Sequence, residues 1–378
     1  MGIISGSGSL RDRLVDHFGV GIISGAVQVP GVHGQTSFPG DLGIISGLGI
    51  ISGSGSFQGW GSFRGLYIPQ MVLNRLVTEM DPPATEKEDS YLTAMDAYGE
   101  KAPIMKTMTD FVQEVATHVM ANITKDGLPW PIPVFRVLGV GSGHGQADLR
   151  ILTGVATAMG SSQTKRPAIH SVIIEPNDTM MAEFQTSVSS SLQPLTSLAD
   201  VSFEWHLMTF EKFTESFSKI ESFHLVHFVA SLYYMDAEIS LKTSYQWLAR
   251  GGAMFCTVGP EESFFPKLSR KLEGKVDLGS IHKFYTEVDL ANIAVRNNWK
   301  HEELWRTSYS VDISSCFEES SEEGSLLLDF LTHKQDFRAT TDEAFYNKIM
   351  DFLNEESISD NNGRKLIKPE ITAVVIYK

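Results

Sequence analysis

The chain has 378 residues, is 42% hydrophobic and 20% charged, and carries a formal net charge of −15. That is enough apolar material for at least one large core, under a surface that repels phosphate backbones and argues against a nucleic-acid partner. Its two cysteines, Cys256 and Cys316, are far apart; this gives no disulfide framework and points to a reducing, cytoplasmic setting. No apolar run approaches the roughly 18 residues that span a bilayer, and no basic-then-apolar leader is read, so no membrane partner is expected.

Residues 1–66 read as a low-complexity, Gly/Ser-rich extension. Here "GIISG" occurs at 2–6, 21–25, 43–47 and 49–53, and Arg11, Arg13 and Arg64 balance Asp12, Asp16 and Asp41. The whole acidic excess therefore belongs to the rest of the chain. A segment with so few large side chains cannot offset its ordering entropy, so disorder is expected there.

From residue 67 to 378 a single domain is expected. Apolar residues at helical spacing fill 91–123, and Pro103 divides that stretch into two helices. Strands and helices then alternate. "VFRVLGV" (134–140), "HSVIIE" (170–175), "VSFEW" (201–205), "FHLVHFV" (223–229) and "GAMFCTV" (252–258) read as strands. Helices are expected at 145–159, at 177–192 with Asn177 as N-cap, at 210–218 and at 237–249. Continuous apolar strands, each followed by a helix, indicate an α/β fold with a parallel sheet covered on both faces. "TSYSVDI" (307–313) and "EITAVVIY" (370–377) read as a late strand pair around an acidic, mostly helical segment at 317–363.

The stretch with most chemical content is "VFRVLGVGSGHGQADL" (134–149), which puts Gly139, Gly141, Gly143 and Gly145 on the first strand-to-helix turn. In an open α/β sheet, ligands bind beyond the carboxyl ends of the strands near such a turn. A dinucleotide loop reads GxGxxG, which starting from Gly141 would need a glycine at 146, where Gln146 stands. The pattern is GxGxG instead, and the acid ending the second strand is Glu175. This resembles the S-adenosylmethionine (SAM) loop of class I methyltransferases. A carboxylate at Glu175 has the acceptors to take two hydrogen bonds from ribose hydroxyls; its plainer role would be to cap the helix that begins near Asn177.

Further blocks, "LGVGSGHGQADLRIL", "IIEPNDTM", "FEWHLMTFEKF", "FHLVHFVASLYYM" and "VDISSCFEESSEEGSLLLDFL", resemble in order and spacing the histamine N-methyltransferase family over roughly residues 91–378. The resemblance implies a Rossmann-like, seven-stranded, mostly parallel sheet with its last strand antiparallel, and a small substrate-binding subregion. It implies SAM contacts at Gly139, Gly141, Gly143, Glu175, Met180, Thr209, Phe210 and Val229. It also implies an acceptor lining at Tyr91, Glu100, Ala230, Tyr234, Phe265 and Pro369. The position of the family's amine-holding acid falls near Ile104, with Glu100 one helical turn away, and a second aromatic wall falls on Ser269.

A sulfonium methyl is already activated. Alignment of nucleophile, methyl carbon and sulfur is then the main task, and no catalytic residue is singled out. No His/Cys cluster has metal-ligand spacing, so no metal is expected. His227, inside an apolar strand, reads as a core histidine, and His144 reads as loop filler or a contact to the methionine carboxylate. The expected activity is methyl transfer to a nitrogen of a small amine or imidazole by a monomeric cytoplasmic enzyme. A non-catalytic SAM-binding module and a protein methyltransferase are the alternatives.

Overall fold

The computed structural model describes residues 21–23, 43–45, 86–126, 132–160, 166–190, 192–216, 222–276, 281 and 283–378, the side chains from residue 93 onward. The chain divides into two units, Met1–Pro83 and Ala84–Lys378. In the first, two repeats supply three-residue strands, Gly21–Ile23 and Gly43–Ile45, which pair antiparallel with Ile22 opposite Ile44. The other two repeats, and most of the segment expected to be disordered, lie outside the described residues.

The second unit opens with helices α1 (Glu86–Lys101) and α2 (Ile104–Asp126), broken at Pro103 as expected. Alternation follows: β1 (Phe135–Val140), α3 (Gln146–Gly160), β2 (Ala168–Ile174), α4 (Asp178–Ser190), β3 (Asp200–His206), α5 (Phe210–Ser216), β4 (Phe223–Val229), α6 (Ala237–Trp247) and β5 (Leu248–Val258). Two further helices, α7 (Phe264–Leu272) and α8 (Glu287–Arg296), lead to β6 (Lys300–Glu303). A helical insert containing α9 (Glu322–Thr332) and α10 (Glu343–Glu356) then precedes β7 (Glu370–Tyr377).

The strands order β3-β2-β1-β4-β5-β7-β6. β1 to β5 are parallel, and β7 runs antiparallel between β5 and β6. The sheet is seven positions wide, but its last position is filled in two pieces. β6 pairs with the end of β7, and Thr307–Ser308 pairs with its start. Of the strand expected at 307–313, only that first piece joins the sheet. Val311–Asp312 crosses into a small antiparallel sheet with Lys365–Ile367 and Ile358–Ser359.

The apolar runs have a direct structural cause. Successive side chains of a strand point to opposite faces, and here both faces are covered. Phe135 and Val137 of β1 join the core under α2 and α3, while Leu138 and Val140 join the opposite core under α5, α6 and α8. β4 is split the same way, Leu225 to one side and Val226 and Phe228 to the other. Each such side chain contributes about 1.5–3 kcal/mol on full burial. Helix starts are fixed locally: Asn177 Oδ1 accepts from Met180 N at 2.9 Å, and Thr286 and Asp289 form a reciprocal capping box. The strand order reverses between β1 and β4, which opens a crevice at their carboxyl ends.

Candidate cofactor and acceptor sites

The crevice is walled by the turn after β1. Gly141 N donates to Ile174 O of β2 at 2.8 Å, and Gly145 N donates to Ser142 O at 2.9 Å, which folds 141–145 into a tight loop. The four glycines do different jobs. A Cβ on Gly139 would lie 2.3 Å from Asp148 Oδ1, one on Gly141 2.5 Å from Ser231 Cβ, and one on Gly145 2.1 Å from the Phe184 ring. At those three positions the chain's own atoms take the space. Gly143, at φ +54°, faces only Met180 Sδ, 3.9 Å from its absent Cβ. The open approach from outside is therefore at Gly143, where a side chain would also strain the left-handed backbone.

Glu175 leaves the end of β2 and is 5% exposed. Its Oε2 accepts from Gly143 N at 2.7 Å and its Oε1 from Asn177 N at 2.9 Å. Desolvation raises its pKa, against the opposing pull of those two N–H groups and of His144. One carboxylate thus ties the turn to the second strand and starts α4, and still has unused lone pairs. Capping and ligand binding do not compete here.

The other implied cofactor positions are more dispersed. Met180 stands over the turn in the first turn of α4. Thr209 is half-buried at the head of α5, and its Oγ1 accepts from Lys212 N at 3.4 Å. The Phe210 ring is a core element, edge-on to Phe228 at 5.8 Å and to Trp247 at 5.7 Å, because its side chain points back under β4. Val229, half-buried, ends β4 and is followed by Ala230 at φ +50°, whose N–H donates to Thr257 Oγ1 at 3.0 Å.

Beyond β4 lie several of the positions that the resemblance implies for the acceptor. Tyr233 and Tyr234 pack at 4.5 Å, and Tyr233 stacks on Phe284 at 5.7 Å. Phe284 lies 5.4 Å from His333, and His333 6.1 Å from Phe330. Phe330 stacks on Tyr98 at 4.3 Å, and Phe265 meets Tyr98 edge-on at 6.1 Å. The rings thus run from the mouth of the crevice into the helical insert. At the far end Tyr98 Oη and Tyr309 Oη share a buried hydrogen bond of 3.2 Å, and burial pushes Tyr309 up to about 12. His333 is held neutral, its pKa down to about 4 by desolvation.

Tyr234 and Phe265 belong to this array. Glu100 is exposed at the end of α1, two residues past the buried Tyr98. Tyr91 lies in α1, but its side chain is outside the described residues. Pro369 accepts Tyr309 N–H through its carbonyl at 3.2 Å. Sequence reasoning missed Asp148, Ser231 and the Tyr98–Tyr309 pair. Ser231 carried a signal, since it follows the fourth strand: its Oγ donates to Val140 O at 2.6 Å and pins β4 to the turn. Among the described residues, no group of three or more His, Cys, Asp or Glu is disposed to hold a metal ion, and no helix is long and apolar enough to cross a membrane.

The residues fit SAM. A buried carboxylate at a strand end suits ribose hydroxyls, the open backbone at Gly143 suits a closely held nucleoside, and Met180 offers an apolar surface above it. No family model matches the chain. It is similar to histamine N-methyltransferase of Xenopus tropicalis, 25% identical over 278 residues that cover 72% of this chain and 89% of the relative. It is also similar to carnosine N-methyltransferase 2 of Gallus gallus, 24% identical over 294 residues covering 76% and 86%. Among solved structures, loganic acid methyltransferase with SAH is 14% identical, with a TM-score of 0.45, over 72% of this chain and 94% of that one.

Sheet order, turn and strand-end acid define a class I SAM-dependent methyltransferase. Within that class the chain is similar to histamine and carnosine N-methyltransferases. SAM is its cofactor.

Proposed function

We propose that the enzyme methylates a nitrogen of a small amine or imidazole acceptor, histamine-like in size. The observation that carries this reading is the run of rings that starts at Tyr233 and Tyr234, two residues past Ser231, and ends at the Tyr98–Tyr309 pair. Flat rings at the mouth of the crevice suit a flat heterocycle. The acceptors for which the two relatives are named, histamine and carnosine, both carry an imidazole.

Bound SAM supplies a methyl group activated on a sulfonium. The chain's task is then geometric. Ser231 and Glu175 fix the turn from two strands, so the nucleoside is held on a rigid base. The rings exclude water and hold the acceptor plane, and proximity of this kind supplies several kcal/mol of the barrier reduction. An aromatic face also favours a cationic sulfonium by about 0.5–2 kcal/mol. An acceptor that enters as a neutral imidazole loses its proton to solvent after transfer and needs no strong base. The buried free thiols Cys256 and Cys316 support a cytosolic setting, and we read the enzyme as a monomer.

The test is the full chain with radiolabelled SAM and a panel of histamine, other imidazoles, primary amines and a mixed protein fraction, with products identified by mass spectrometry. Turnover of a small imidazole or amine is expected. Label appearing only in protein, or SAM binding with no turnover on any small acceptor, overturns the reading.

A further inference from the structure

Beneath the glycine turn lies a carboxyl group that the methyl transfer itself does not use. Asp148, in the first turn of α3, is 1% exposed. Ser142 Oγ, on the turn, donates to its Oδ1 at 2.9 Å, and His227 Nε2 of β4 stands 3.3 Å from the same oxygen. All three groups converge on the space that a Cβ on Gly139 would fill, with Ser142 Oγ 2.7 Å and His227 Cε1 2.9 Å from it. The missing side chain at 139 makes room for an acid.

Among the described residues, no positive group faces that acid. Burial holds His227 neutral, its pKa down to about 3, and its Nε2 has no hydrogen-bond partner among the described residues. From the second strand Glu175 adds a like charge, and His144 beyond it is engaged 2.9 Å from Glu183 Oε2 of α4. Desolvation, and then Glu175, push the Asp148 carboxyl up to about 7 against the Ser142 hydrogen bond and its own backbone N–H.

We propose that Asp148 gives up a proton to solvent when SAM binds, because the ligand's sulfonium and ammonium bring positive charge to the turn and draw the acid into its carboxylate form, which tightens its bond to Ser142. The inference rests on the assignment of SAM to this crevice. It distinguishes the two ends of the reaction. SAM carries the sulfonium, while its demethylated product, S-adenosylhomocysteine, carries a neutral thioether. After transfer that charge is gone, Asp148 takes a proton back from solvent, and the turn loosens around the product. Asp148 is a positioning residue, acting on the cofactor through Ser142.

Calorimetric titration of the full chain with SAM and with S-adenosylhomocysteine, in buffers of different ionisation enthalpy from pH 5.5 to 8.5, reads the protons exchanged. SAM is expected to release a substantial fraction of a proton near pH 6.5, and the product clearly less. Apparent SAM affinity then rises with pH by up to about tenfold per unit below pH 7 and levels off above it. Asp148→Asn should bind SAM with that slope removed, whereas Glu175→Gln should bind more weakly but keep it. Binding without proton release, or release unchanged in Asp148→Asn, overturns the inference; absence of SAM binding at any pH would instead strike at the SAM assignment. Should Asp148→Asn fail to fold, infrared difference spectra of the unaltered protein at pH 6.5 decide: loss of a protonated carboxyl band on SAM addition supports the proposal, and an unchanged band overturns it.

Discussion

The two halves of the crevice are built on opposite plans. The cofactor half is made of backbone and short polar groups: Gly143 N–H on Glu175, Ser231 on Val140 O and Ser142 on Asp148, all on the turn, the helix that follows it and the ends of the neighbouring strands. The half proposed for the acceptor is made of rings from α1, α7, α9 and the loops after β4 and before α8, sequence-distant segments with one buried hydroxyl pair. Hydrogen bonds to fixed backbone tolerate little change in their partners. Ring packing re-forms with other rings of similar size. On the proposed function, that difference makes the cofactor half the less tolerant of substitution.

Breaking the rigid half should have the larger effects. The Asp148 carboxyl has a folded pKa of about 7, above its ordinary value of 3.8. The unfolded chain releases that proton first, so this group's contribution to stability falls as pH rises between about 4 and 7. Three pH units correspond to about 4 kcal/mol. Asp148→Asn should therefore be more stable than the parent at pH 8, by up to that amount, and little changed at pH 4; equal denaturant midpoints at pH 8 would refute this. His227 works in the other sense. Its folded pKa of about 3 lies below 6.5, so stability is lost on acidification through that window, and Asp148→Asn should expose the loss as a simple decline below pH 6.5.

Next in size is Glu175→Ala. It should weaken SAM about tenfold or more by titration, from charged hydrogen bonds worth roughly 1.5–3 kcal/mol, and leave the order of preference among acceptors alone. In the aromatic half the effects shrink. Tyr98→Phe removes the bond to Tyr309 and leaves a buried hydroxyl unpaired, costing roughly 1–2 kcal/mol in stability, and should raise acceptor KM with SAM affinity unchanged. Smallest is Tyr234→Ala. The ring is 40% exposed, so stability should stay within about 0.5 kcal/mol while acceptor KM rises several-fold. If SAM affinity moved with either tyrosine, the two halves would not be separable.

The same contrast governs what the sequence reveals. β1 to β5 were legible because burial on both faces writes an unbroken apolar run, and the turn because positive φ and close packing demand glycine. β6, "KHEE", is an edge strand with charged side chains and carries no such mark. Asp148 reads in sequence as an ordinary acid at a helix start, and only the fold shows it buried beside His227. Phe210 stands among the positions the resemblance implies for SAM, yet the turn of α5 directs its ring into the core against Phe228 and Trp247. Tyr98 and Tyr309 lie 211 residues apart, a distance over which no local pattern connects them.

β7 occupies an interior position of the sheet, between β5 and β6, yet it is residues 370–377. During synthesis its slot stays vacant until residues 370–377 emerge, leaving β5 with a bare ladder edge that other chains could join. A chain cut before residue 370 would therefore aggregate rather than fold as a slightly shortened enzyme, even though it keeps every group proposed to hold the cofactor.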